Sequence, residues 1–96
     1  MYIIRDTFKA KPGQASKLAG MFKEVMAKQG HKVRILTDVV GQYNTVAMER
    51  EVDGLGEFEK MMKEYSEGKD AKEMREQMKG YTDMYISGGR EIYKVM

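Results

Sequence analysis

Asp6 is the carboxylate whose setting invites chemistry. The segment from Tyr2 to Lys9 alternates as a strand, with Tyr2, Ile4, Asp6 and Phe8 on one face and Ile3, Arg5, Thr7 and Lys9 on the other. A carboxylate on the more apolar, helix-facing side is costly to bury unless it is paired or hydrogen-bonded, and desolvation pushes its pKa upward. A general base in a pocket has these properties, so Asp6 is the candidate catalytic residue. Pairing with an Arg or Lys, or capping a backbone amide, is its structural alternative. Tyr43, Tyr65, Tyr81 and Tyr85 offer phenolic hydrogen bonds, while Arg34 and Arg50 offer guanidinium anchors for an anionic substrate. Tyr65, Tyr85, Phe22 and Met62 are the candidate ligand-contacting side chains, because aromatic and thioether groups suit a small apolar ligand.

Other residues have plainer expected roles. His31 follows Gly30 at a helix–strand junction and is expected to be a solvated loop residue, since a lone His without a neighbouring His or Cys makes a poor metal site. Glu49 and Glu51 share a strand face, where they are expected to be solvated partners of Lys or Arg on the neighbouring strand. Met61, Met62, Met74 and Met78 recur at helical spacing, which fits core filling or the lining of an adaptable pocket. Gly88-Gly89 lacks the strand–glycine–helix context of a phosphate loop and is a backbone device.

Composition narrows the classes. The 17 basic and 15 acidic residues are interspersed and leave a formal charge of +2, so no basic run favours a nucleic-acid partner. The chain has no cysteine, which excludes disulfides, thiolate metal sites and cysteine nucleophiles. No metal and no cofactor are expected. No apolar stretch approaches the roughly 20 residues of a membrane span, and Met1-Tyr2-Ile3-Ile4-Arg5 starts as a strand rather than a signal peptide. The expectation is one cytoplasmic domain over residues 1–96. A domain of this size buries only about 60–65% of its extended-chain surface, so association is a natural source of further burial.

The elements that must hold these residues follow from changes of period. After Pro12-Gly13, Ala15, Leu18, Phe22, Val25 and Met26 recur as one helical stripe, predicting a helix over 13–29 stopped by Gly30. His31 to Val40 and Thr45 to Val52 read as strands joined through Gly41-Gln42-Tyr43-Asn44 into an antiparallel hairpin. Leu55, Phe58, Met62 and Tyr65 mark the next helix, and Asp70 opens a short one carrying Ala71, Met74 and Met78. Thr82 to Met96 is a long strand interrupted at Ser87-Gly88-Gly89, by a bulge or by a tight hairpin. The order is the split-βαβ pattern: an α+β, ferredoxin-like protomer whose four-stranded antiparallel sheet carries its helices on one face.

Six adjacent apolar pairs lie in the predicted strands: Ile3-Ile4, Ile35-Leu36, Val39-Val40, Ala47-Met48, Tyr85-Ile86 and Ile92-Tyr93. Each puts an apolar group on both faces of the sheet, although helices are available for one face only. The expectation is a homodimer through the face bearing Ile3, Leu36 and Val40, with Ile4, Ile35 and Val39 beneath the protomer's own helices.

The start Met1 to Phe8, the helix opening Lys11-Pro12-Gly13-Gln14 and the ending Arg90 to Val95 resemble the dimeric α/β-barrel superfamily, which includes antibiotic-biosynthesis-type monooxygenases, haem-degrading monooxygenases and NIPSNAP-like proteins. The resemblance implies a sheet that pairs with a partner's to form a barrel, helices outside, and a ligand pocket between helices and sheet. The haem-degrading branch carries an Asn where this chain has Asp6, a Trp near the position of Met61, and a helical His. Here there is no Trp and His31 precedes a strand, so no axial ligand for haem iron is evident.

Two functions fit these residues. One is a non-enzymatic or regulatory dimer that binds a small apolar ligand between helices and sheet. The other is a cofactor-independent monooxygenase or isomerase of the antibiotic-biosynthesis type, using Asp6 and a pocket tyrosine. The first is preferred because no set of catalytic residue types converges in the sequence.

Overall fold

The computed structural model describes residues 1–28, 30 and 32–96, so the reading of His31 lies outside the described residues. The elements run β1 (Tyr2–Ala10), α1 (Ala15–Lys28), β2 (Arg34–Thr37), β3 (Thr45–Val52), α2 (Leu55–Glu67), α3 (Ala71–Gln77), a 3-10 turn (Tyr81–Asp83) and β4 (Tyr85–Lys94). The strands form one antiparallel sheet in the order β2-β3-β1-β4, the ferredoxin-like arrangement.

Local chemistry sets the element ends. The chain turns into α1 through Gly13 at φ 79°, a left-handed conformation that favours glycine. On α1, Leu18, Phe22, Val25 and Met26 are buried, as their i, i+4, i+7, i+8 spacing requires. Glu57 reaches back from the first turn of α2 to accept the Asp53 backbone N–H at 2.8 Å. The helix ends at Gly68, where a Cβ would stand 2.5 Å from the Glu64 carbonyl oxygen.

Cross-strand register fixes the faces. Ile4, Asp6, Phe8, Ile35, Met48, Arg50, Arg90 and Ile92 share the helix-covered face, while Ile3, Arg5, Leu36, Ala47, Glu49, Glu91 and Tyr93 share the outer one. The core lies beneath α1. Phe22 meets Phe8 with ring centroids 5.0 Å apart, and Phe8 meets Tyr85 at the same distance. Leu18, Val46, Ala10 and Met84 complete this cluster.

Two expectations need correction. The second strand ends at Thr37 rather than Val40, so Val39 and Val40 sit in the β2–β3 loop, 94% and 95% exposed: Val39 is not beneath the helices, and neither valine belongs to a sheet face. Asp38 is the cause: its carboxylate accepts the Thr45 backbone N–H at 2.9 Å, closing the loop before the valines can pair. Ser87-Gly88-Gly89 is neither hairpin nor bulge, because β4 runs straight through it. The irregularity lies beside it: Lys9 pairs with Ser87 but Ala10 with Tyr85, leaving Ile86 as the extra residue. Gly88 serves close approach instead, since a Cβ there would lie 3.2 Å from the Phe8 ring.

Candidate functional site

The helix face divides into two halves, and the candidate residues divide with it. Phe22 and Tyr85 belong to the packed aromatic cluster under α1, where both rings are in contact with Phe8. Tyr65 and Met62 lie on α2, above Asp6, so the four ligand-contacting candidates do not form one wall.

Beneath α2 the sheet presents charge. Arg90 is the direct cross-strand neighbour of Asp6, and its Nε donates to Asp6 Oδ1 at 2.5 Å. The Asp6 side chain is 17% exposed and that of Arg90 41%, so the pair is half-sheltered rather than sealed. The Arg90 guanidinium also stacks over Phe58, 5.3 Å from its centroid, and stands 3.6 Å from the Met62 sulfur. Arg50 repeats the arrangement one row away: it lies 5.6 Å from the Tyr65 ring centroid and donates to the Met61 sulfur. Among the described residues Arg50 forms no ion pair.

Phe58, Met61, Met62 and Tyr65 therefore form the inward stripe of α2, yet no residue of this helix is fully buried. Burial pushes the Tyr65 phenol above its ordinary value, and the charge and hydrogen bond of Arg50 oppose that rise. The phenol stays protonated at neutral pH. The charges of Asp6 and Arg90 reach it too.

Three depressions surround α2 and the β3 edge. The β2 ladder begins at the Arg34–Glu49 pair, so residues 50–52 run past it. A depression of about 420 Å³ there is walled by Arg50, Glu51, Glu57, Lys60, Met61 and Glu64 among others, so it holds charges of both signs. Another, of about 560 Å³, is walled by Ile3, Val33, Arg34, Glu49 and Arg50. A third of about 450 Å³ lies at the α2–α3 junction beside Tyr65 and Met74. Asp6 lines none of the three. Among the described residues no group of three His, Cys, Asp or Glu is placed to hold a metal ion.

Arg34, read from the sequence as a second anion anchor, lies on the outer face and bonds Glu49 Oε1 at 2.7 Å. Arg5 Nε bonds the other oxygen of Glu49 at 2.6 Å. Glu49 is only 7% exposed, not a solvated residue as expected, because two guanidinium groups cover it. Its pKa is lowered by the Arg5 bond first and the Arg34 bond further, against an opposing desolvation. Arg5 lies over Tyr93 at 5.4 Å, and the Tyr93 hydroxyl donates to Glu91. Sequence reasoning missed Arg90 and Phe58. The signal for Arg90 is its antiparallel register with Asp6, which no local pattern in the sequence sets.

The fold has clear counterparts. A NIPSNAP family protein from Agrobacterium tumefaciens superposes with a TM-score of 0.82 at 9% identity, covering 99% of this chain and 92% of that one. A NIPSNAP domain protein from Burkholderia xenovorans gives 0.80 at 10% identity, covering 100% and 95%. An antibiotic biosynthesis monooxygenase gives 0.67 at 8% identity, covering 100% and 99%. No protein-family model matches the sequence, and neither does any curated protein. At these identities the likeness is one of fold. The chain has the ferredoxin-like fold shared by NIPSNAP and antibiotic-biosynthesis-monooxygenase structures, as the resemblance in its terminal strands implied. Among the described residues no helix is long and apolar enough to cross a membrane.

Proposed function

We propose that residues 1–96 act as a single-domain cytoplasmic homodimer that binds a small ligand in the crevice between α2 and the sheet. The observation that carries this is the way α2 covers the sheet: it lies over the guanidinium groups of Arg50 and Arg90 and buries none of its own side chains completely. A purely apolar ligand, the expectation from the sequence, makes no use of Arg50, which forms no ion pair among the described residues. A flat ligand with one anionic group suits the crevice better, its ring against Phe58 or Tyr65 and its anion on Arg50. The dimer half of the proposal draws on the outer face, where Leu36 and Tyr93 are 41% and 44% exposed beside Ile3.

Thermal unfolding in the presence of benzoate, salicylate and polyketide-like phenols tests the ligand. Because ligand that binds only the folded chain stabilises it by mass action, the carboxylates are expected to raise Tm while their neutral amides do not, with the effect lost in Arg50→Gln. No stabilisation by any compound would sink the proposal.

A second reading, a cofactor-independent monooxygenase or isomerase, is favoured by the shared electrostatics of Asp6 and the Tyr65 phenol. It requires substrate to compete with Arg90 for the Asp6 carboxylate. Turnover of a phenolic substrate that survives Asp6→Asn would exclude Asp6 as the base.

A further inference from the structure

Two of the ten methionines stand next to each other on α2, and each meets a guanidinium of the sheet. Arg50 donates to the Met61 sulfur, and Arg90 Nη1 stands 3.6 Å from that of Met62. The two arginines are otherwise placed differently. Arg90 holds Asp6 through Nε at 2.5 Å, whereas Arg50 forms no ion pair among the described residues. Arg50 and Met61 also wall the same depression of about 420 Å³, so a small polar oxidant reaches their contact from solvent. Met26 and Met84, by contrast, are only 5% and 8% exposed.

We infer that Met61 is a reversible oxidation site whose sulfoxide takes Arg50 away from an anionic ligand; the inference rests on the anion-binding reading proposed above. A thioether sulfur is a weak acceptor and gives up a guanidinium to a carboxylate. Hydrogen peroxide changes that. A lone pair of Met61 Sδ attacks one peroxide oxygen, the S–O bond forms as the O–O bond breaks, and the second oxygen leaves with both protons as water. Sulfur is oxidised by two electrons and the peroxide is reduced by two. The product carries a polar oxygen at the contact where Arg50 already donates. Methionine sulfoxide reductases reverse the step, which makes it a switch rather than damage.

The sulfoxide has two advantages over a free anion. It is tethered beside Arg50, so it competes at a high effective concentration. Its oxygen also adds bulk at a contact that walls the depression an anion would enter. Met62 does not do the same. Its sulfur meets Arg90, whose Nε is committed to Asp6, so oxidation there adds an acceptor for Nη1 and leaves both the ion pair and Arg50 in place. Adjacent methionines therefore have different consequences.

The test is hydrogen peroxide treatment of the whole chain, with oxidation followed by peptide mass mapping and salicylate affinity read by thermal shift before and after. Met61 is expected to be converted before Met26 and Met84. Oxidised wild type is expected to bind salicylate about tenfold or more weakly, as loss of one hydrogen bond to a charged group implies. Methionine sulfoxide reductases A and B with dithiothreitol are expected to restore the affinity. In Met62→Leu the peroxide effect is expected to persist. In Met61→Leu, a nearly volume-conserving change, peroxide is expected to leave that variant's own affinity unaltered although the other methionines still oxidise. Unchanged affinity with Met61 fully converted, or a loss that persists in Met61→Leu, overturns the proposal. So does a Met61 that stays reduced while Met26 and Met84 are converted. A wild-type chain that no carboxylate stabilises sinks the ligand reading, and the Arg50 side-chain N–H signals in NMR then decide this inference alone. A shift and slowed exchange on oxidation, absent in Met61→Leu, support the Met61 site; unmoved signals overturn it.

Discussion

The two helices over the sheet carry similar stripes and meet different surfaces. On α1, Leu18, Phe22, Val25 and Met26 are buried, Leu18 and Phe22 in one cluster with Phe8, Ala10 and Val46. On α2, Phe58, Met61, Met62 and Tyr65 point inward with comparable spacing, yet they stop at Arg50, Arg90 and Asp6 and none is fully buried. An amphipathic stripe therefore determines which side of a helix faces the sheet. How deeply that side is buried depends on residues far away in sequence. The α1 half is built for cohesion, and the α2 half keeps polar groups half-solvated.

The contrast is open to direct attack, starting from its strongest side. Phe22→Ala removes a ring in contact with Phe8 and Tyr81 and is expected to cost about 3–5 kcal/mol in denaturant unfolding. A loss below about 1 kcal/mol would show that the α1 half is not the cohesive one. Glu49 gives a smaller effect confined to acid. Its folded pKa lies below the ordinary value of 4.5 that the unfolded chain has, so ionised Glu49 stabilises the fold above that value. This contribution is lost as pH falls through the folded pKa. Wild type is thus expected to lose stability below pH 4.5 more steeply than Glu49→Gln, and parallel acid profiles would contradict the pairing seen on the outer face. The smallest effect belongs to α2: Phe58→Ala gives up a half-buried ring over Arg90 and is expected to cost only about 1 kcal/mol. A cost equal to that of Phe22→Ala would erase the distinction between the halves.

Much of the architecture was legible because it rests on short-range periodicity. The third strand has the expected bounds, Thr45–Val52, and α1 falls within one or two residues of its expected ends. The second strand did not read correctly, because Val39 and Val40 have strand propensity while Asp38 bonds Thr45 and turns the chain first. The site was legible only in part. Placing Asp6 on the helix face was sound, and the alternative of pairing with an Arg is what the structure contains. That partner, Arg90, is 84 residues away and is specified by register rather than by any local pattern. The outer row of alternating charges, Arg34, Glu49, Arg5 and Glu91, was hidden for the same reason, since its four members come from four strands.

The extra residue at Ile86 acts as a phase corrector for β4. Side chains on a strand alternate with a period of two, so each unit of length added or removed exchanges the faces of everything beyond it. With Ile86 looped out, Tyr85 falls on the aromatic side while Arg90 still lands opposite Asp6 and Glu91 opposite Arg5. Deleting Ile86 would leave Tyr85 against Ala10 and Ser87 against Lys9 in an unbroken ladder, with both assignments intact. Deleting Gly89 instead would move Arg90 to the outer face and Glu91 beneath α2. The last strand thus has a position where its length can vary by one, and it lies outside the run that holds both charge patterns in step.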